Sequence, residues 1–272
     1  MRDSSVLATE SLEASSAPQR RRLRQDIRHA AANGAFSLWL QPRYSLADGS
    51  LRGAEAQIRW PHRGSIGTPS AFMPLVEACG LTDMVAAWTL TAACAAAQSW
   101  PNGPGPPPYV ALTVPNWSLD ELRLPGHVAA ALAETELCPE RLDIAVSETG
   151  LAEAGEDKLL MLCALRDLGI GLTLDEFGGP SANLLTLARF PLTAVKLDRS
   201  LVRDLPADRT AASVTSAIIT LGHALGVAII AAGVETPAQR DFLLQAGCDQ
   251  AQGALFGRLV VEQSFPALLQ AA

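Results

Sequence analysis

The sequence predicts an α/β domain closed into a barrel of parallel strands, and three observations carry that expectation. From Tyr109 onward short apolar strands alternate with helical stretches, the beat of βα units around a parallel sheet. In a chain of 272 residues the number of these units favours one closed barrel over two domains. Two apolar strands also end in charge: Gly171-Leu-Thr-Leu-Asp175-Glu176-Phe-Gly178 and Ala194-Val-Lys196-Leu-Asp198-Arg199-Ser. A buried ionised group is costly unless it is paired or holds a metal, and catalytic residues of barrels collect at the C-terminal ends of the strands. Only two of the 21 basic residues are lysines, so Lys196 points to a site that wants a compact ammonium. A buried Lys–Asp pair that only supports the barrel is the competing reading.

Residues 1–17 are polar and Ser/Ala-rich and read as a disordered leader before a domain at 18–272. Pro18 suits a first helical turn, and Gln19 to Ala32 follows as a helix closed by Asn33-Gly34. Phe36 to Gln41 alternates like a strand, and Asp48-Gly49 marks a hairpin into Leu51 to Trp60. Helices are expected from Ser70 to Cys79 and from Thr82 to Trp100. The tract Pro101 to Pro108 excludes regular structure and reads as a stiff surface loop. Strands follow at Tyr109 to Val114, Leu142 to Ser147, Gly171 to Asp175, Ala194 to Leu197 and Val227 to Ala232. Helices are expected at Asp157 to Leu168 and Asp208 to Leu225.

Composition bounds the function. An apolar content of 49% supplies a sizeable core, and 18% charge excludes general disorder. The net charge of −7 argues against a broad nucleic-acid surface. The basic cluster Arg20-Arg21-Arg22-Leu23-Arg24 with Arg28 spreads around a helix and reads as a solvated face. Cys79, Cys94, Cys138, Cys163 and Cys248 are scattered, without a Cys-x-x-Cys pair, as suits reduced thiols and not a zinc site. The N-terminus opens no signal-like apolar run, and Ala217 to Val234 carries His223 and three glycines. A soluble, cytoplasmic protein with no membrane partner is expected. His29, His62, His127 and His223 fall on separate elements, His62 and His127 in loops, and form no metal set.

Six ordered segments resemble one family. They are Gln41-Pro42, Gly53-Ala-Glu55-Ala-Gln57-Ile-Arg59-Trp60, Asp175-Glu176-Phe177-Gly178, Lys196-Leu-Asp198-Arg199-Ser200, Gly233-Val-Glu235-Thr236 and Gly247-Cys-Asp249-Gln-Ala-Gln252-Gly253. Together, from about Leu40 to Phe265, they resemble the EAL domains, bacterial cyclic di-GMP phosphodiesterases. The resemblance implies a TIM-like (β/α)8 barrel whose first strand runs antiparallel to the rest. It also implies two Mg²⁺ or Mn²⁺ ions that activate a water to open cyclic di-GMP to linear pGpG.

Carried over position by position, that metal constellation is damaged. Glu55 matches the glutamate that names the family, Asp175 the bridging aspartate, and Lys196 the lysine that holds the attacking water or stabilises charge on phosphate. Gln252 and Glu235 are kept. The asparagine ligand falls on Thr113, one glutamate ligand on Ala145, three residues before the retained Glu148, and a further catalytic glutamate on Ala232. Glu176 stands where the family has a second aspartate. Hard cations need oxygen ligands, so the remnants Glu55, Asp175 and Glu176 are not expected to hold a metal. After Phe-Gly the family has Thr-Gly-Tyr-Ser-Ser; here Gly179-Pro180-Ser181-Ala182-Asn183 follows, with φ fixed at Pro180. Glu148 resembles the family's anchor for that loop.

The resemblance leaves a nucleotide pocket of Gln41, Gln57, Arg59, Lys196, Asp198, Glu235 and Gln252. Arg59 would either contact phosphate or pair with Glu55 or Asp175. Gln57 replaces an apolar leucine, and Leu259 replaces a common proline. The expected function is a catalytically inactive, standalone regulator in cyclic di-GMP signalling, with about 35 residues upstream of the first strand. It would bind cyclic di-GMP, a regulatory protein partner, or both, as a homodimer and without a cofactor. The alternatives are a protein-interaction module that binds no nucleotide, and a weak phosphodiesterase that uses Mg²⁺ or Mn²⁺.

Overall fold

A computed structural model describes residues 17–101, 105–114, 123–152, 155–179 and 183–271. The expected leader, except Ala17, and the Pro180 turn lie outside the described residues. Helix α1 (Ala17–Ala32) leads into the hairpin β1 (Ser37–Ser45) and β2 (Leu51–His62), extended by β3 (Ser65–Gly67). Gly49 turns the hairpin at φ +71°, a left-handed conformation that suits glycine. Helices α2 (Pro69–Ala78) and α3 (Thr82–Gln98) follow. Then come β4 (Tyr109–Thr113), α4 (Leu124–Thr135), β5 (Leu142–Ser147), α5 (Glu148–Ala152), α6 (Glu156–Asp167) and β6 (Gly171–Phe177). The rest is α7 (Leu184–Arg189), β7 (Ala194–Leu197), α8 (Arg199–Arg203), α9 (Arg209–Ala224), β8 (Ala228–Ala232), α10 (Pro237–Gln245), β9 (Gln250–Gln252), β10 (Val260–Val261) and α11 (Phe265–Ala271).

Eight strands close a ring in the order β1, β2, β4, β5, β6, β7, β8, β9 and back to β1. β1 is antiparallel to both of its ring neighbours, and every other ring contact is parallel. The expected barrel with one reversed strand is therefore present. Gly53 permits part of the closure: a Cβ there would lie 2.0 Å from the Tyr109 carbonyl oxygen. Two expectations are corrected. His127 lies inside α4, not in a loop, and His62 ends β2, where it stacks on Trp60 and meets Asp26 at 2.9 Å.

Strand alternation sorts the side chains. Leu142, Ile144 and Val146 of β5, and Leu172 and Leu174 of β6, belong to the large core that the helices cover. Their alternating neighbours Asp143, Ala145, Thr173 and Asp175 are also buried and, by the period of two, face the other way. Asp143 and Asp175 meet charged side chains there, so this barrel interior carries charge where branched apolar layers usually pack. A second core holds Ile27, Phe36, Ile58, Trp60, Phe72, Leu75 and Val85, which fastens α1, α2 and the start of α3 beside the barrel mouth. Each such buried large side chain contributes about 1.5–3 kcal/mol.

Candidate functional site

The strand register brings the separated motifs to one end of the barrel. Gln41 pairs with Glu55 across the hairpin, Glu55 lies opposite Ala111 of β4, Thr113 opposite Ala145, and Ser147 opposite Asp175. A cavity of about 740 Å³ opens above them. Gln41, Gln57, Lys196, Asp198, Glu235 and Gln252 all line it, so six of the seven expected ligand residues converge. Glu55, Thr113, Asp175, Glu176 and Ala232 line it too. Its far wall is apolar, with Met73 from α2 and Val85 and Leu90 from α3.

Lys196 dominates the floor. Its Nζ donates to Glu55 Oε2 at 2.7 Å and lies 2.8 Å from Asp175 Oδ2. Asp175 Oδ2 also accepts the Thr113 hydroxyl at 3.0 Å, and its Oδ1 accepts the Glu176 backbone N–H at 2.7 Å. Thr113, which stands where the family resemblance has an asparagine ligand, therefore spends its hydroxyl on the aspartate. Ala145 and Ala232 are buried and bring no oxygen. Burial alone would raise the Glu55 carboxyl, but Lys196 and Arg43 outweigh it and hold the pKa at about 2. Burial lowers the Lys196 ammonium, and its two carboxylate partners more than reverse that, so it stays charged.

The other expected residues have distinct settings. Glu176 is exposed and sits at φ +58°, a region where aspartate is commoner than glutamate. Partial desolvation of its carboxyl by the surrounding walls, with help from Asp175 and Asp198, raises its pKa all the same. Asp198 caps α8 by accepting the Ser200 N–H at 2.8 Å. Glu235 is exposed and lies 3.7 Å from Arg199. Arg59 pairs with neither Glu55 nor Asp175; it turns along its own strand, donating to Gln57 Oε1 at 2.8 Å and to the Ile58 carbonyl at 2.9 Å. Glu148 accepts the Asn183 N–H, so the link to the loop end persists, while burial raises its pKa.

Sequence reasoning missed the layer beneath. Arg43 is fully buried and donates to Gln252 Oε1 at 2.9 Å and to the Tyr109 hydroxyl at 3.0 Å. It lies 3.6 Å from both Glu55 and Asp143, and Asp143 accepts the Thr173 hydroxyl at 2.7 Å. An arginine two residues after Gln41 on the same strand face was the available signal. Among the described residues, no group of three or more His, Cys, Asp or Glu side chains is disposed to hold a metal ion. The donors present do not fit a pair of hard divalent cations: one ammonium already bridges the two buried carboxylates, and alanines stand where two more were needed.

A barrel with one reversed strand, carrying its polar groups at the strand ends, defines the class. The sequence model of the EAL domain matches residues 24–258, and the chain belongs to that family. It is 33% identical over 243 residues to the bifunctional diguanylate cyclase/cyclic di-GMP phosphodiesterase MucR of Pseudomonas aeruginosa, covering 89% of this chain and 36% of that protein. It is 35% identical over 242 residues to the cyclic di-GMP phosphodiesterase RocR of the same organism, covering 88% of this chain and 61% of that one. The chain thus spans less than two thirds of either relative. The structure of the PaMucR phosphodiesterase in complex with c-di-GMP superposes with a TM-score of 0.82 at 33% identity, over 90% of this chain and 99% of that one. No helix among the described residues is long and apolar enough to cross a membrane.

Proposed function

We propose that the chain is a catalytically inactive EAL domain that regulates cyclic di-GMP signalling by binding the dinucleotide without a divalent metal. The observation that carries this reading is the double salt bridge from Lys196 to Glu55 and Asp175. Hydrolysis in the family resemblance needs those carboxylates free for cations, together with the oxygens lost at Ala145 and Ala232. Lys196 and Arg43 are set against Glu55, Asp175 and Asp143, and burial favours the neutral form of Asp143, so little negative charge is left on the floor for added cations to offset. A unit charge about 4 Å from a phosphate is worth roughly 4 kcal/mol at an effective dielectric of 20, before solvation losses. Removing anions from the floor therefore serves a bound phosphate in the same sense as adding cations.

Titration of cyclic di-GMP by calorimetry, once with Ca²⁺ and once with EDTA, tests the reading. Equal binding in both supports it; binding only with Ca²⁺ rejects metal independence. Absence of binding in both moves the assignment to a protein-interaction module.

Regulation would pass to a partner protein or through a homodimer. The dimer proposal is motivated by Leu184 and Leu185 at the start of α7, which are 56% and 75% exposed beside the loop that follows β6. A C2 pair would use that patch twice. Light scattering should give twice the 28.6 kDa chain mass at micromolar concentration, and a clean monomer rejects the dimer.

A further inference from the structure

We infer that Arg43 is a positioning residue that locks the Glu55–Gln252 pair against divalent cations, from inside the barrel and independently of the missing ligands at Ala145 and Ala232. The inference deepens the metal-free reading and rests on it for its biological meaning, but not for its test.

The geometry of Gln252 carries the argument. Its side-chain oxygen accepts Arg43 Nε at 2.9 Å, and its amide nitrogen donates to Glu55 Oε2 at 2.8 Å. Only this orientation satisfies both neighbours. Turned over, the NH2 would face a guanidinium and the oxygen would face a carboxylate. Arg43 therefore dictates which end of Gln252 meets the floor, and it is the end that cannot bind a cation. The same Glu55 oxygen takes Lys196 Nζ at 2.7 Å and lies 3.6 Å from Arg43 Nη2. Three nitrogen groups thus crowd one carboxylate oxygen, two of them cationic.

Arg43 cannot relax away from this position. It is fully buried, and its other contacts are the Tyr109 hydroxyl at 3.0 Å and Asp143 at 3.6 Å. Tyr109 is itself tied to Gln250 at 2.6 Å. Against the cost of burial, Tyr109, Asp143 and Glu55 together favour the protonated guanidinium. A divalent ion on Glu55 would face this fixed charge and a wrongly turned amide even if every missing oxygen were supplied.

Mn²⁺ affinity separates the lock from the lost ligands, because it needs neither cyclic di-GMP nor turnover. The parent is the restored variant Thr113→Asn/Ala145→Glu/Glu176→Asp/Ala232→Glu, titrated with Mn²⁺ alone and read by electron paramagnetic resonance. Adding Arg43→Met with Asp143→Asn, which avoids an unpaired carboxylate, is expected to tighten Mn²⁺ binding tenfold or more. Any smaller gain, including no binding in either protein, overturns the inference. Near-UV circular dichroism checks the fold. If the methionine variant does not fold, Arg43→Gln on the same parent is read by the same criterion. Failure of the nucleotide titration above leaves this comparison intact, so the two readings fail separately.

Discussion

Lys196 Nζ and Glu55 Oε2 meet at 2.7 Å across the barrel floor from positions 141 residues apart in the chain. Both side chains are nearly buried, and Asp175 completes the group at 2.8 Å. A cation made by the chain itself therefore stands between the two carboxylates.

Removing that cation should be costly. Lys196→Met leaves Glu55 and Asp175 facing each other in the interior, and breaking a buried pair from one side typically costs about 3–5 kcal/mol. Urea unfolding should show a loss of that order. A loss below about 1 kcal/mol would mean that the bridge is energetically idle.

Acid should weaken the same bridge. The Glu55 carboxyl sits at about 2, below its ordinary 4.5, so its stabilisation is fully present above the ordinary value and is lost as pH falls toward 2. The amount is on the order of 3 kcal/mol. Asp143 and Glu148, raised by burial, take up protons earlier in the folded state and act in the opposite sense. Comparison with Glu55→Gln isolates the effect: the wild-type advantage in urea unfolding should shrink between about pH 5 and about pH 2. A constant difference across that window would contradict the assignment.

Hydrolysis of cyclic di-GMP in Mg²⁺ or Mn²⁺ should be absent by chromatography of pGpG. Multiple turnover at about 1 s⁻¹, an ordinary enzyme rate, would reject the inactive reading. Ala145→Glu with Ala232→Glu should remain inactive, because Thr113 still occupies Asp175 and Arg43 still holds Gln252.

Arg59 offers a gain-of-affinity test. Its guanidinium is held by Gln57 Oε1 at 2.8 Å, and that bond must break before it can reach a ligand in the cavity. Gln57→Leu removes the competing acceptor, worth about 1 kcal/mol, and should tighten cyclic di-GMP binding in EDTA roughly fivefold. Arg59→Ala should weaken it by tenfold or more. If both variants bind as the wild type does, Arg59 plays no part in recognition.

The sequence by itself determined the strand–helix beat, because alternating apolar residues and turn signals are local properties. The Asp48-Gly49 hairpin and the strand at Leu142 to Ser147 could be placed from their own residues. Strand β9 was not, because Gln250–Gln252 is three residues long and mostly polar, and only pairing with β8 and β1 makes it a strand. The convergence of Gln41, Lys196 and Gln252 was readable through ordered motifs. The destination of each side chain was not. Arg59 could reach phosphate or a carboxylate on sequence grounds, and the fold turned it onto Gln57. Arg43 carried only its place two residues after Gln41 on the same strand face, a signal outweighed because an arginine in a strand is ordinarily a surface residue. Its burial depends on closure of the ring, which brings Tyr109, Asp143 and Gln252 around it from three other strands. Charge pairing inside a barrel is a property of strands distant in sequence, and only the tertiary structure decides it.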